Sequence, residues 1–289
     1  MPGSSSSSTY LNYSSSGGNP EYSSSSSVSD PASSSSSGIG GSSSSQMLSD
    51  VVPVDVRAIA DAKFHTSGNI RIGNLVTVTG SLFAGTGVEI GVETSANSEI
   101  VSGGNIMLAN RANVGELRLT GNLYAQDGAV YGTVTHMSNV NNPAMPTFSF
   151  ATGSSDIIIE RRRNLSVSPG TYRNFAAREQ SKVHFAAGDY YFDSFWIDPY
   201  VELEFEQGSR IWIANGFNIA NFCRVTHSGS MGDLFIYIGS SNYISIGNNV
   251  QMKAALYAPR ASVQIFDHSV FEGFVWAANF NVEPSSILK

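Results

Sequence analysis

Short alternations of apolar and other residues recur through the second half of this chain. Val201-Leu203-Phe205, Ile211-Ile213, Leu234-Ile236-Ile238, Ile244-Ile246 and Val263-Ile265 each set apolar side chains two residues apart. A period of two is that of a β-strand, whose successive side chains point to opposite faces. Gly and Asn corners separate these runs, and both accept the positive φ that tight turns demand. A strand of three to five residues cannot bury a face alone. Stacked coils supply one another's hydrogen bonds and a continuous apolar interior. Each inward Val, Ile, Leu or Phe then contributes roughly 1.5–3 kcal/mol.

The chain also repeats itself. Gly68-Asn69-Ile70 returns as Gly104-Asn105-Ile106, and Gly80-Ser81-Leu82-Phe83-Ala84 returns as Gly121-Asn122-Leu123-Tyr124-Ala125. Ala254-Ala255-Leu256-Tyr257-Ala258 and Gly273-Phe274-Val275-Trp276-Ala277 lie nineteen residues apart, and the repeated aromatic falls at Trp212, Phe235, Tyr257 and Trp276. Pro169-Gly170-Thr171-Tyr172 is echoed by Ala187-Gly188-Asp189-Tyr190. A period near twenty predicts an all-β chain folded as a right-handed β-solenoid, a parallel β-helix with three short strands per coil.

The predicted layout has five parts. Residues 1–50 hold twenty-four serines and no Lys or Arg, too little apolar surface to offset ordering, and read as a flexible Ser-rich tail. Residues 51–65 fit a capping helix started by Asp55, or a strand from the Val54-Asp55-Val56 alternation. Solenoid segments are expected at 66–136 and 165–289. Between them, 137–164 reads as a loop or hinge, because Asn139, Asn141, Asn142, Pro143, Pro146 and Gly153 disfavour regular pairing. No cap follows Val282, so the C-terminal coil is expected to end in an open rim.

Composition narrows the function. Only 13% of residues are charged, and the net charge of −7 lacks the basic footprint of a nucleic-acid binder. Cys223 is the single cysteine, so no intrachain disulfide forms, and it reads as a small buried hydrophobe. No run of eighteen apolar residues exists, so no transmembrane segment is expected. The Met1-Pro2-Gly3-Ser4 start has neither the basic region nor the apolar core of a signal peptide.

The Pro169–Tyr172, Ala187–Asp193, Leu256–Pro259 and Gly273–Ala277 motifs resemble an uncharacterised β-solenoid domain of bacterial cell-surface and pilus-assembly-associated proteins. The Gly-Asn-Ile and Gly-x-Leu-aromatic-Ala coils of 68–134 are similar to bactofilins, the polymer-forming β-helix cytoskeletal proteins. The resemblance implies a surface-exposed or filament-forming structural role and carries over no catalytic residue. The chain departs from the pilus-associated pattern in showing no apolar N-terminal anchor helix.

Chemistry-bearing residues are sparse. His65, His136, His184, His227 and His268 share no metal-ligand spacing, and no cofactor fingerprint is present. Glu202, Glu204 and Glu206 alternate with Leu203 and Phe205, which puts three carboxylates on one outer strand face. That face suits solvent, and it is also where a solenoid lyase or hydrolase would hold Ca²⁺ or an acid–base pair. Arg161, Arg162 and Arg163 form the basic run, suited to an acidic neighbour in another subunit. Tyr190, Tyr191, Trp196, Tyr200 and Tyr243 are expected near coil corners, where rings stack on sugars or pack between subunits. Asn12 and Asn164 begin N-glycosylation triplets, and the blocks starting at Ser4, Ser23, Ser33 and Ser42 permit O-glycosylation.

The expectation is therefore a non-enzymatic structural subunit of an extracellular filament or surface layer, pairing with itself head to tail. Its rivals are a carbohydrate-binding adhesin or receptor-binding rod that contacts surface glycans, and a polysaccharide-cleaving enzyme. A cytoplasmic scaffold is the alternative location.

Overall fold

The computed structural model describes residues 63–229 and 233–289. The Ser-rich tail, most of the expected cap, Asn12, Ser4, Ser23, Ser33 and Ser42 lie outside them. The described residues form an all-β, parallel β-solenoid in which 26 short strands join one sheet system. Each coil contributes strands to three faces, and every pairing between coils is parallel.

The coil order along the stack is not the order of the sequence. One segment climbs from Ile157–Ile159 to the strand Ile287–Leu288. The coil starting at Phe64 then continues the same spiral. Val275 pairs with Phe64, Phe280 with Ile70, and Leu288 with Val78, so all three faces run on without a gap. From there the coils proceed to the strand Val134–His136 at the far end. We call the junction the seam. Backbone N–H groups of Gly273 and Val275 donate to the carbonyls of Lys289 and Lys63, which places both sides of the seam on one strand.

This corrects the open C-terminal rim expected from the sequence. Phe280, Phe64 and Leu288 are fully buried there, and the Phe64 and Phe280 rings stack at 5.8 Å. It also places Phe64 mid-stack, between the strands 274–277 and Leu82–Ala84, rather than at an end.

Register refines the repeats. Ile70 and Ile106 share a face through Val88, as the Gly-Asn-Ile echo predicts, and Leu256 sits on Val275. The echo of Gly80–Ala84 in Gly121–Ala125 is different. Leu82 leads through Ile100 to Leu117, whereas Leu123 pairs with Ile106 on another face. The aromatic column runs Trp212, Tyr237, Tyr257, Trp276, so Phe235 is displaced from it by two residues. Likewise Gly170 pairs with Tyr190, not Gly188. Similar tripeptides satisfy different faces because each face asks only for an inward–outward–inward triplet.

One corner recurs in every coil. Arg162, Gln180, Tyr200, Phe222, Asn249, His268, Ser285, Leu75, Glu93 and Arg111 all hold φ between 55° and 62°. Such a conformation costs a non-glycine residue about 1–2 kcal/mol. A ladder of backbone bonds offsets it: Ser285 N–H donates to the Asn74 carbonyl across the seam, as Leu75 N–H does to Val92. Except after Arg162 in the end coil, the next residue turns inward and is small, as with Val76, Thr94, Ala112, Ser181 and Ser269. Cys223 holds this position, its thiol against the Asp198 carbonyl at 3.2 Å, and burial pushes its pKa up to about 11.

Coil width sets core chemistry. The coils after Phe64 repeat every seventeen or eighteen residues, from Leu82 to Ile100 to Leu117, and are filled by Ile, Leu and Val. Those after Ile157 are longer, from Phe175 to Phe195 to Phe217, and stacked Phe rings fill them, with Phe175–Phe195 and Phe185–Phe205 each at 4.3 Å.

The stretch 137–164 divides. Residues 157–164, read from sequence as loop, carry the strand Ile157–Ile159 and begin Asn164–Val167. Residues 137–156 form no strand and run back along the outside of the stack as a strap. The strap touches Ser67 through Asn142, Tyr257 through the Pro146 carbonyl, Trp212 through Phe148 and Tyr191 through Phe150. At its end Asp156 takes a bidentate pair with Arg173 and a bond from the Asn174 N–H, which hold its carboxyl down at about 2.

Candidate functional surfaces

Three surfaces emerge from this arrangement. The first is the aromatic column beneath the strap. Tyr191, Trp212, Tyr237, Tyr257, Trp276, His65 and Phe83 occupy consecutive outward positions of one face. Outward residues of a solenoid ordinarily meet solvent, yet Trp212, Tyr237, Tyr257 and Trp276 are all buried. Phe148 stands edge-on to Trp212 at 5.3 Å and to Tyr237 at 5.9 Å, and the Tyr257 hydroxyl donates to the Pro146 carbonyl at 2.6 Å. The indole N–H groups of Trp212 and Trp276 and Nδ1 of His65 are buried without a partner among the described residues.

His65 makes this column pH-sensitive. It stacks on Phe83 at 4.4 Å, and its Nε2 meets Asn142 of the strap at 3.2 Å. Burial pulls its pKa down to about 4, against a smaller upward pull from Asn142. The fold thus favours neutral imidazole, and the unfolded chain takes up the proton first as pH falls. The contribution of His65 to stability is expected to be full above pH 6.5 and to be lost progressively from there to pH 4. Denaturation midpoints of the parent and His65→Phe, measured across that window, should diverge in pH dependence; parallel curves would refute the assignment.

The second surface comprises the two end coils. Leu165 sits in the same inward column as Val183, which is fully buried, yet Leu165 is 46% exposed because no coil of the described residues lies beyond it. At the other end Tyr131 follows Val130, which bridges Asn113, and so continues the column of buried Val114 with 42% exposure. Among the described residues no strand covers the outer edges of Ile157–Ile159 and Asn164–Val167, while strap residues 153–155 cross the third face, with Gly153 N–H donating to the Tyr172 carbonyl.

The third surface is a groove over the seam. Its lining joins Ser262, Asn279 and Asn281 from one side to Asn69, Arg71, Thr86, Glu89, Asn105 and Met107 from the other, around about 660 Å³ of space. A neighbouring hollow of about 290 Å³ continues it past Met107 to Tyr124 and Gln126.

The residues singled out from sequence are dispersed. Trp196, Tyr200 and Tyr243 are each about half exposed. Trp196 faces Gly216, Tyr200 stacks on Phe222 at 4.9 Å, and the Tyr243 hydroxyl bonds Gln264. Tyr190 is not exposed: it points inward, and its hydroxyl donates to the Ala186 carbonyl at 2.6 Å. Glu202, Glu204 and Glu206 do face out. Glu202 lies 3.5 Å from Lys182, and Glu206 meets His184 Nε2 at 3.1 Å and accepts from the Ala187 N–H, which lowers its pKa. Glu204 lies in register between His184 and Thr226. Arg161 pairs with Glu179 at 3.1 Å in its own chain and Arg162 with Gln180 at 2.7 Å, while Arg163 is exposed in the end coil, as is Asn164.

The sequence reading missed the strap and the groove. The signal for the strap was present in Phe148 and Phe150, aromatics in a Pro- and Asn-rich stretch with no strand pattern to serve. Among the described residues, no three His, Cys, Asp or Glu side chains gather as a metal site, and no helix is long and apolar enough to cross a membrane. Compared with protein-family models, curated proteins and solved structures, the chain matches none.

Proposed function

We propose that this chain is a non-enzymatic structural subunit of an extracellular filament or surface layer, assembled through the end coils of its solenoid. The supporting observation is that core columns terminate in exposed Leu165 and Tyr131. Exposed strand edges beside unburied core residues invite pairing with another chain. A contact between unlike ends that does not close produces a fibre. The seam lends support, since it joins two coil ends with no covalent link at the point of contact. Glu202 and Glu206 are engaged by Lys182 and His184 across neighbouring coils, an arrangement that suits a solvated outer face better than a catalytic pair.

The test is negative-stain microscopy with analytical ultracentrifugation of the purified full chain over a concentration series. Filaments or sheets are expected, and Leu165→Glu should reduce them. Monodisperse single particles at high concentration would sink the reading.

A further inference from the structure

We infer that the groove over the seam binds an extended, uncharged polysaccharide. This goes beyond the assembly role and uses a different surface. Asn69 and Asn105 commit their carboxamide oxygens to the coil wall: Asn69 Oδ1 accepts from Thr86 Oγ1 at 2.7 Å, and Asn105 Oδ1 accepts from the Asn122 N–H at 2.8 Å. Those bonds fix each amide's orientation and leave its Nδ2 donors without a partner among the described residues. Asn281, in register with Arg71, makes no side-chain hydrogen bond there at all. The groove thus presents free amide groups suited to hydroxyls that both donate and accept.

Charge and apolar content agree with this ligand class. Arg71 and Glu89 face each other at 3.5 Å, so the lining carries no net charge to attract an acidic polymer. The column continues from Glu89 to Met107 and Tyr124, which are 43% and 53% exposed. An exposed tyrosine ring beside amides offers a face for the C–H side of a sugar and a hydroxyl for its edge. Consecutive outward positions of this face, about 4.8 Å apart, carry Asn281, Arg71, Glu89, Met107 and Tyr124, so a chain laid along the axis meets an amide, a neutralised ion pair and then an apolar and aromatic stretch. A peptide fits less well, because the groove lies on a sheet face whose backbone groups are already paired, with no edge to extend. The seam builds the site, since Asn281 and Asn69 come from opposite sides of it.

The experiment is calorimetric titration of the full-length chain with neutral oligosaccharides (glucan, mannan and chitin fragments), with oligogalacturonate as acidic comparator. The expected result is binding of a neutral fragment that falls roughly tenfold or more, about 1.4 kcal/mol, in Asn281→Ala and in Tyr124→Ala, with unchanged melting temperatures. Trp196→Ala should bind like the parent. No neutral binding, a preference for oligogalacturonate, or unaltered affinity in both groove variants would overturn the inference. Filaments formed by a chain that binds no sugar would overturn it while leaving the assembly role standing.

Discussion

Phe280→Ala is expected to lower the stability of the solenoid by about 3–5 kcal/mol, the usual cost of deleting a fully buried aromatic ring. Phe280 is 0% exposed and stacks on Phe64, so the cavity opens at the junction of the two chain segments. In a stack where each coil touches only its neighbours, stability is a sum of coils and interfaces, and the seam is one such interface. The damage should therefore appear far away in sequence. Amide hydrogen exchange in residues 64–108 should accelerate along with that in 262–288. Exchange that rises only in 262–288 would show that the coils from Phe64 onward do not depend on the seam.

Phe148→Ala is expected to cost about 2 kcal/mol and to uncover the aromatic column. The ring is half-buried, so its transfer contribution is smaller than for a core phenylalanine, but it also makes edge contacts to Trp212 and Tyr237 worth roughly 0.5–1.5 kcal/mol each. Trp212 is 2% exposed in the parent and should become accessible to iodide, raising its fluorescence quenching. Quenching identical to the parent would mean that the strap does not roof the column. A chain joined from Lys289 to Lys63 and opened within the strap near Asn139 should still form the stack, since the spiral already passes from one of these lysines to the other.

The strap and the groove also connect the two functional readings. The end coils face along the axis, whereas the groove lies on a sheet face, so the proposed assembly through the ends would leave the groove free. The corner column of positive-φ residues stiffens the same stack. It binds each coil to the next through a backbone bond that does not involve the side chain, and Leu75, Phe222 and Arg111 all hold this corner.

How much of this was legible in the sequence follows from the range of the interactions. The two-residue alternation and the period near twenty are local properties, since an inward residue needs only its own strand and the coil above. Val201-Leu203-Phe205 and the Gly-Asn-Ile pair therefore announced the β-solenoid directly. The outward placement of Glu202, Glu204 and Glu206 followed from the same alternation, whereas which aromatic rings face out did not. Local pattern did not choose between faces, which is why the Gly80 and Gly121 pentapeptides look alike yet occupy different ones. Only the tertiary structure decided the order of the coils. The seam joins Asn69 to Asn279 across 210 residues, and a coil end is apolar and hydrogen-bond-hungry whether its neighbour is sequential or distant. With the coil order came the burial of Trp212 and Trp276 beneath the strap, the closing of the expected C-terminal rim, and a groove whose two walls come from distant parts of the sequence.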